Sequence, residues 1–475
     1  MRLPEVGCSL PRRLFVKKIQ KMLLEVKMLL RFGTSNHLSV REYQELSLVA
    51  TPLKGSLEGL LQSSDTADQS KAFSTVPVVA IYGANAAGKS TILRALEFFV
   101  TAIKESQNGS SSRQGTPYQP FLLDENSRNS VSRYDADFVI DGIRYHYGFT
   151  LDGKIVHSEW LFSFPAGSQR QVRSILFHRD AADESSFYFG KSLKGDNKRI
   201  SKLTRNNSLF LSSAAQNAHS QLSKIYDYFS IGFSQRLETV SDNASISEQM
   251  FAYFGADKAQ RKRAMNFMQA ADIGIADVEF SKKAPGKKTQ LLIQEFENIF
   301  TKHFSDFSFP ESYETNEAKI LHYGEYAKYY PIALEYESSG TKALLQILGP
   351  VFTKLENGGT LIVDELNIAL HPLVSHELIK LFSSPETNPG RAQLIFTTHD
   401  TNILTSGLLR RDQIWFVEKD GTGSTCLYPL SSIKIRQNDN FEKGYIEGRF
   451  GAIPMFGLNK YNYKNLDSLS KEGDK

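Results

Sequence analysis

The 475-residue sequence predicts an α/β protein with a mixed central sheet, a separate antiparallel sheet and a largely helical insertion. Three observations carry this. VPVVAIYGANAAGKSTILRALEFFVTAI reads as an apolar strand, a glycine turn and an apolar-periodic helix. TLIVDE and QLIFTTHD are short apolar runs ending in polar residues, the pattern of buried strands that deliver side chains at their ends. YDADFVIDGIRYHYGFTLDGKIVHSEWLFSF alternates like exposed-and-buried strands, with turns at Asp141-Gly142 and Asp152-Gly153.

Composition bounds the rest. With 41% hydrophobic and 23% charged residues the chain is globular rather than disordered, fibrous or coiled-coil. Two cysteines, Cys8 and Cys426, exclude a disulfide framework and a cysteine-rich zinc site, and point to a reducing, cytoplasmic setting. The longest apolar runs are far too short to span a bilayer, so no membrane is expected. A formal charge of +4 is compatible with nucleic acid without selecting it.

Residues 1–27 carry seven basic side chains among scattered apolar ones and lack the continuous apolar core of a signal peptide. From Met28 the chain turns β-rich. Met28 is therefore the natural start, or the preceding segment is a dispensable basic helix, or else it is an ordinary packed N-terminal helix. Residues 28–205 form an N-terminal lobe, 206–300 a helical insertion or arm, and 301–475 a C-terminal lobe. Basic stretches at Lys258 to Arg263 and Lys282 to Lys288 are either a polyanion-binding surface or a solvated helix face.

Gly83-Ala84-Asn85-Ala86-Ala87-Gly88-Lys89-Ser90 satisfies the P-loop pattern G-x-x-x-x-G-K-[ST], with the strand before it and the helix after it that the pattern requires. Gly83, Asn85 and Gly88 let backbone amides converge on phosphate, the helix N-terminus adds its dipole, and Lys89 neutralises β and γ oxygens. Ser90 is the candidate Mg2+ ligand, and Thr91 supports the helix start. Asp364 and Glu365 end the TLIV strand. One acid is needed for Mg2+, here Asp364, and one group to activate water, here Glu365. On an extended chain the two would point oppositely.

Glu337-Ser338-Ser339-Gly340-Thr341 precedes a helix and resembles the ABC-type signature loop, so Ser338, Ser339 and Gly340 make a second anion site. His399, in FTTHD, stands where ABC-type ATPases carry the switch histidine. LNIALHP occupies the D-loop position, with Asn367 where many relatives have an acid. Gln119, in TPYQPF, is either the Q-loop glutamine that senses Mg2+ or an ordinary loop residue.

From Met28 to about Phe456 the chain resembles AAA-family, ABC-type ATPases of the RloA/AbiL kind, relatives of the OLD, RecF and SMC heads. The resemblance rests on IYGANAAGKS, EYESSGTKALL, TLIVDELNIALHP, IFTTHDTNILTSGLLRRDQIWFVEKD and GYIEGRFGAIP. It implies a P-loop NTPase fold of ABC/SMC-head type, with ATP and Mg2+ as ligands and Glu365 and His399 as catalytic groups. It also implies a homodimer or higher even-numbered oligomer in which one chain's signature closes on the other's P-loop. A nearby effector, a nuclease or toxin, and a role in anti-phage defence follow from the same resemblance. DNA or another nucleic acid is a further implied partner. The tail after His399 is short for the C-terminal nuclease of OLD proteins, so no nuclease domain is expected. The wide separation of P-loop and signature disfavours a transporter and leaves a RecF/SMC-like DNA-repair ATPase as the alternative.

Overall fold

The computed structural model describes residues 27–52, 59–62, 74–107, 115–164, 173–183, 186–236, 242–255, 258–271, 274–303, 313–434 and 439–453. The N-terminal basic segment, apart from Lys27, lies outside the described residues. Among the described residues no helix is long and apolar enough to cross a membrane.

Six strands form the central sheet, in the order Phe233–Arg236, Thr360–Val363, Gln393–Thr397, Val78–Gly83, Ile414–Lys419, Thr425–Pro429. All neighbours are parallel except the last pair, which is antiparallel. Side chains alternate across a strand, and here both faces are covered. Val79, Ile81, Ile362, Ile395 and Val417 enter one apolar core. Val78, Ala80, Tyr82, Leu361, Phe396 and Phe416 enter the other. This double burial explains why the strands read as continuous apolar runs.

The first core lies between the central sheet and a seven-stranded antiparallel sheet. That sheet runs Phe187–Phe189, Ser174–Asp180, Val156–Phe164, Ile143–Leu151, Ser132–Ile140, Lys27–Ser35, Gln44–Ser47. Ile140 pairs with Ile143 across the Asp141-Gly142 turn, whose φ values of 53° and 75° are the left-handed pair that a two-residue hairpin needs. The Lys89–Glu105 helix crosses between the sheets and buries Ile92, Leu93, Leu96, Phe99, Val100 and Ile103, one helical stripe. Phe99 stacks on Phe149 at 5.5 Å between ring centroids and meets Phe229 edge-on at 5.2 Å. The fold is the α/β P-loop class with a mixed central sheet and an antiparallel sheet, as the sequence predicts.

Among its described residues the stretch 206–300 is largely helical, as expected, with two strands set among its helices. Its Phe210–Gln216 and Leu222–Gly232 helices pack into the first core, and the chain then supplies Phe233–Arg236 as the parallel edge of the central sheet. Lys354, buried in the helix before the Thr360–Val363 strand, anchors this edge by donating to the carbonyls of Ile231 and Gly232, each at 2.8 Å. Further on, Ile275–Lys283 pairs with Thr315–Tyr323, which pairs with Tyr329–Ala333, forming a three-stranded antiparallel sheet. The Asn243–Phe254 and Lys258–Ala270 helices share the second core with the Ser339–Asn357 helix. The basic stretches are partly neutralised within the chain: Arg261 pairs with Asp277 (2.7 Å), Arg263 with Glu356, Lys282 with Glu314 (3.7 Å) and Lys283 with Glu317 (2.5 Å).

Candidate active site

The fully buried Val78–Gly83 strand delivers its C-terminal end to the P-loop turn. Gly83 allows the neighbouring strand to approach, since a Cβ there would sit 2.4 Å from the Val417 carbonyl oxygen. Ala86 at φ 61° and Gly88 at φ 114° take left-handed conformations that curl the loop around a central space. Lys89 Nζ donates to the carbonyls of Gly83 (3.0 Å) and Ala84 (3.2 Å), so the ammonium is held over the loop. A cleft of about 650 Å³ opens there, lined by Asn85, Gly88, Lys89, Ser90 and Thr91. Glu365 reaches it from just past the C-terminal end of the Thr360–Val363 strand, at the same edge of the parallel sheet as the P-loop, and Leu38, Ser39, Leu122, Leu123, Lys419 and Gly423 also contribute to its walls.

The two acids are set by the neighbouring strand. Thr397 Oγ1 donates to Asp364 Oδ1 at 2.5 Å and accepts from the Glu365 backbone N–H at 2.7 Å. Glu365 is not extended: its φ of 53° is left-handed, a conformation rare outside glycine and common at functional sites. The expected opposed pair on an extended chain is therefore replaced by a sharp turn that aims Glu365 into the cleft.

Electrostatics link the same groups. Burial lowers the pKa of Lys89, opposed by the charges of Glu365 and Asp364. Desolvation and the Lys89 charge lower that of His399, again opposed by Glu365 and Asp364. Lys89, Asp364, Glu365 and His399 thus lie within one local field. Asn367 accepts from Thr398 Oγ1 at 2.9 Å and from the His399 N–H at 3.4 Å, and so ties the turn after the acids to the turn bearing the histidine.

Ser338 caps the Ser339–Asn357 helix by accepting from the Thr341 N–H at 3.0 Å. The residue before it, Glu337, meets His322 Nε2 at 2.6 Å. Ser338 and Ser339 are exposed, and neither they nor Gly340 line the P-loop cleft of their own chain. Gln119 is exposed and does not line the cleft either, although Pro120, Phe121, Leu122 and Leu123 do; its carbonyl accepts from the Leu38 N–H at 2.9 Å. Sequence reasoning missed Thr397, Ser39 and the Leu122-Leu123 wall. Thr397 was within reach, since it stands two residues before His399 in the same motif.

Among solved structures, "SMC head domain from Thermotoga maritima" is similar at 12% identity, over 86% of this chain and 99% of that chain, with a TM-score of 0.37. "Crystal structure of the SmcHead bound to the C-winged helix domain of ScpA" is similar at 13% identity, over 84% and 97%, with a TM-score of 0.35. No curated protein matches. A family model described as "AAA domain, putative AbiEii toxin, Type IV TA system" matches residues 78–405, from the P-loop strand to just past the histidine. The chain belongs to that AAA-domain family.

Proposed function

We propose that the protein is a Mg2+-dependent ATP hydrolase of the ABC kind, that two chains close over ATP, and that closure controls an effector in cytoplasmic anti-phage defence. The observation that carries the two-chain reading is the division of labour within one chain. Lys89, Ser90 and Glu365 share a cleft, whereas Ser338, Ser339 and Gly340 form a capped helix N-terminus that faces solvent elsewhere. An exposed serine-glycine helix start is a phosphate-binding element without a phosphate site in its own chain.

Within the cleft, Lys89 and the loop amides bind phosphate, and Glu365 orients and polarises the attacking water. The Ser90 hydroxyl and the Asp364 carboxylate are hard oxygen donors of the kind that suit Mg2+, and Thr397 keeps the carboxylate oriented. When bound, Mg2+ supplies charge neutralisation on the phosphate oxygens. His399, held beside Lys89 and Glu365, reads the γ-phosphate. The family's description as a putative toxin of a toxin–antitoxin system supports a defence setting; a separately encoded effector, a nuclease or toxin, is carried over from the resemblance to RloA/AbiL-type ATPases alone.

Complementation between inactive chains tests the reading. Lys89→Ala disables one half-site and Ser338→Arg the other, so a mixture should recover part of the turnover through one intact composite site. No recovery despite proven co-assembly excludes the two-chain site. The defence role is tested in cells, where Lys89→Ala should abolish protection against phage.

A further inference from the structure

The P-loop rests on the Thr425 hydroxyl, with the Ser39 hydroxyl beside it, and neither belongs to a nucleotide motif. Thr425 opens the last strand of the central sheet and is fully buried. Its Oγ1 donates to the carbonyl of Ala87 at 3.1 Å. Its side chain is packed against Gly88, where a Cβ would fall 2.2 Å from Thr425 Oγ1 and 2.8 Å from its methyl. Ser39 lies beside it in the tight turn closed by the His37 and Val40 backbones. Ser39 Oγ is 2.8 Å from Thr425 Oγ1, to which it can donate while Thr425 donates to Ala87, and 3.0 Å from the Thr91 hydroxyl, while the Ser39 carbonyl accepts from the Thr425 N–H at 2.8 Å. Three segments far apart in sequence, the 37–40 turn, the P-loop and the C-terminal hairpin, therefore meet at one group of hydroxyls.

The Ala87 carbonyl and the Gly88 N–H belong to the same peptide unit. In a planar trans peptide they point in opposite directions, so a donor that holds the carbonyl on one side aims the N–H to the other. Thr425 holds the carbonyl, so the N–H points away from Thr425, and Gly88 itself lines the cleft. Left-handed Gly88 has little conformational restraint of its own, and an unrestrained peptide there would rotate at the expense of phosphate binding.

We propose that Thr425, supported by Ser39, is a positioning residue that pre-orients the Gly88 N–H toward the phosphates of the nucleotide. The proposal rests on the nucleotide-site reading above. It also implies that the 37–40 turn and the C-terminal hairpin feel the loading of the P-loop, because their hydroxyls move with the Ala87-Gly88 peptide.

Equilibrium binding of a fluorescent ATP analogue with Mg2+ to the full chain tests this, with circular dichroism to establish folding. Thr425→Val keeps the shape of the side chain and removes the donor. It should weaken binding about tenfold, the scale of one lost oriented hydrogen bond. Thr425→Ser should bind within about twofold of wild type, because the hydroxyl is retained. Ser39→Ala should weaken binding less than Thr425→Val, and the double variant should be no weaker than Thr425→Val alone, as expected for residues acting in one chain of contacts. In turnover, the loss should appear in KM more than in kcat. Wild-type affinity in folded Thr425→Val, or a Thr425→Ser as weak as Thr425→Val, overturns the proposal. If Thr425→Val does not fold, Ser39→Ala decides, and unchanged affinity there overturns it. The nucleotide reading fails separately: wild type would then not bind, or Lys89→Ala would bind as well as wild type.

Discussion

A Cβ on Gly340 would lie 2.6 Å from the carbonyl oxygen of Ala369, so the glycine at the start of the signature helix is seated on the backbone that follows Asp364 and Glu365. Ala369 itself is left-handed, at φ 60°. The start of the Ser339–Asn357 helix is thus in contact with the turn after the acids through main chain, which cannot yield as the end of a flexible side chain can.

Gly340→Ala probes that seat. The new methyl must push the helix start away from Ala369, while the P-loop cleft, which Gly340 does not line, is left alone. Nucleotide affinity should stay within about twofold of wild type, and turnover should fall by at least about tenfold. Equal losses in binding and turnover would place the effect in the P-loop instead.

Glu365→Gln retains size and hydrogen bonding but loses the charge that polarises water. Turnover should drop by about a hundredfold or more, with ATP binding through Lys89 and Ser90 preserved. Sedimentation with ATP should show a larger species accumulating, whereas Lys89→Ala should stay in its nucleotide-free state. Near wild-type hydrolysis by Glu365→Gln would transfer the water-activating role to His399 or another group.

Thr397 spans both acids, so Thr397→Val releases the Asp364 carboxylate and leaves the Glu365 N–H without its acceptor. The site is buried, and the expected loss of stability is about 1–3 kcal/mol in denaturant unfolding. Turnover should fall by more than the loss of nucleotide affinity, and Thr397→Ser should recover most of it. A silent Thr397→Val would show that the acids hold their geometry without the strand beside them.

His37 supplies a pH signature. It is buried, with Nδ1 at 2.8 Å from the Tyr134 hydroxyl, and burial lowers its pKa to about 4. The unfolded chain therefore binds this proton more readily than the folded one. Stability is fully present above about pH 6.5 and is lost as pH falls toward the folded value, by up to about 3 kcal/mol. Denaturant midpoints measured from pH 7 to pH 4 should fall more steeply for wild type than for His37→Gln. Parallel profiles would remove His37 as the source.

Much of the fold was legible because its signals are local. The P-loop strand and helix and the Asp141-Gly142 hairpin at φ 53° and 75° each depend on a few adjacent residues whose conformational needs are unusual. Other elements carried no such signal. Phe233–Arg236 is four residues long and becomes a strand because Thr360–Val363, over a hundred positions later, offers an unpaired edge. The Lys258 to Arg263 and Lys282 to Lys288 stretches look like a free basic surface when charges are counted along the chain. Their partners Asp277, Glu356, Glu314 and Glu317 appear only when the sheets assemble.

The sequence by itself determined the order of the chemical groups: glycine turn and Lys89, then the signature serines, then Asp364 and Glu365, then His399. Residue type and spacing suffice for this, since each motif is a strand end or helix start that folds from its own neighbours. Only the tertiary structure decided how those groups are aimed. Thr397 sets the acids, Asn367 joins their turn to the histidine, and Thr425, with Ser39 beside it, holds the Ala87 carbonyl of the glycine loop. A single hydroxyl or amide has no periodicity to read. Its role arises when parallel strands about 5 Å apart bring distant segments into register, a distance that no local pattern records.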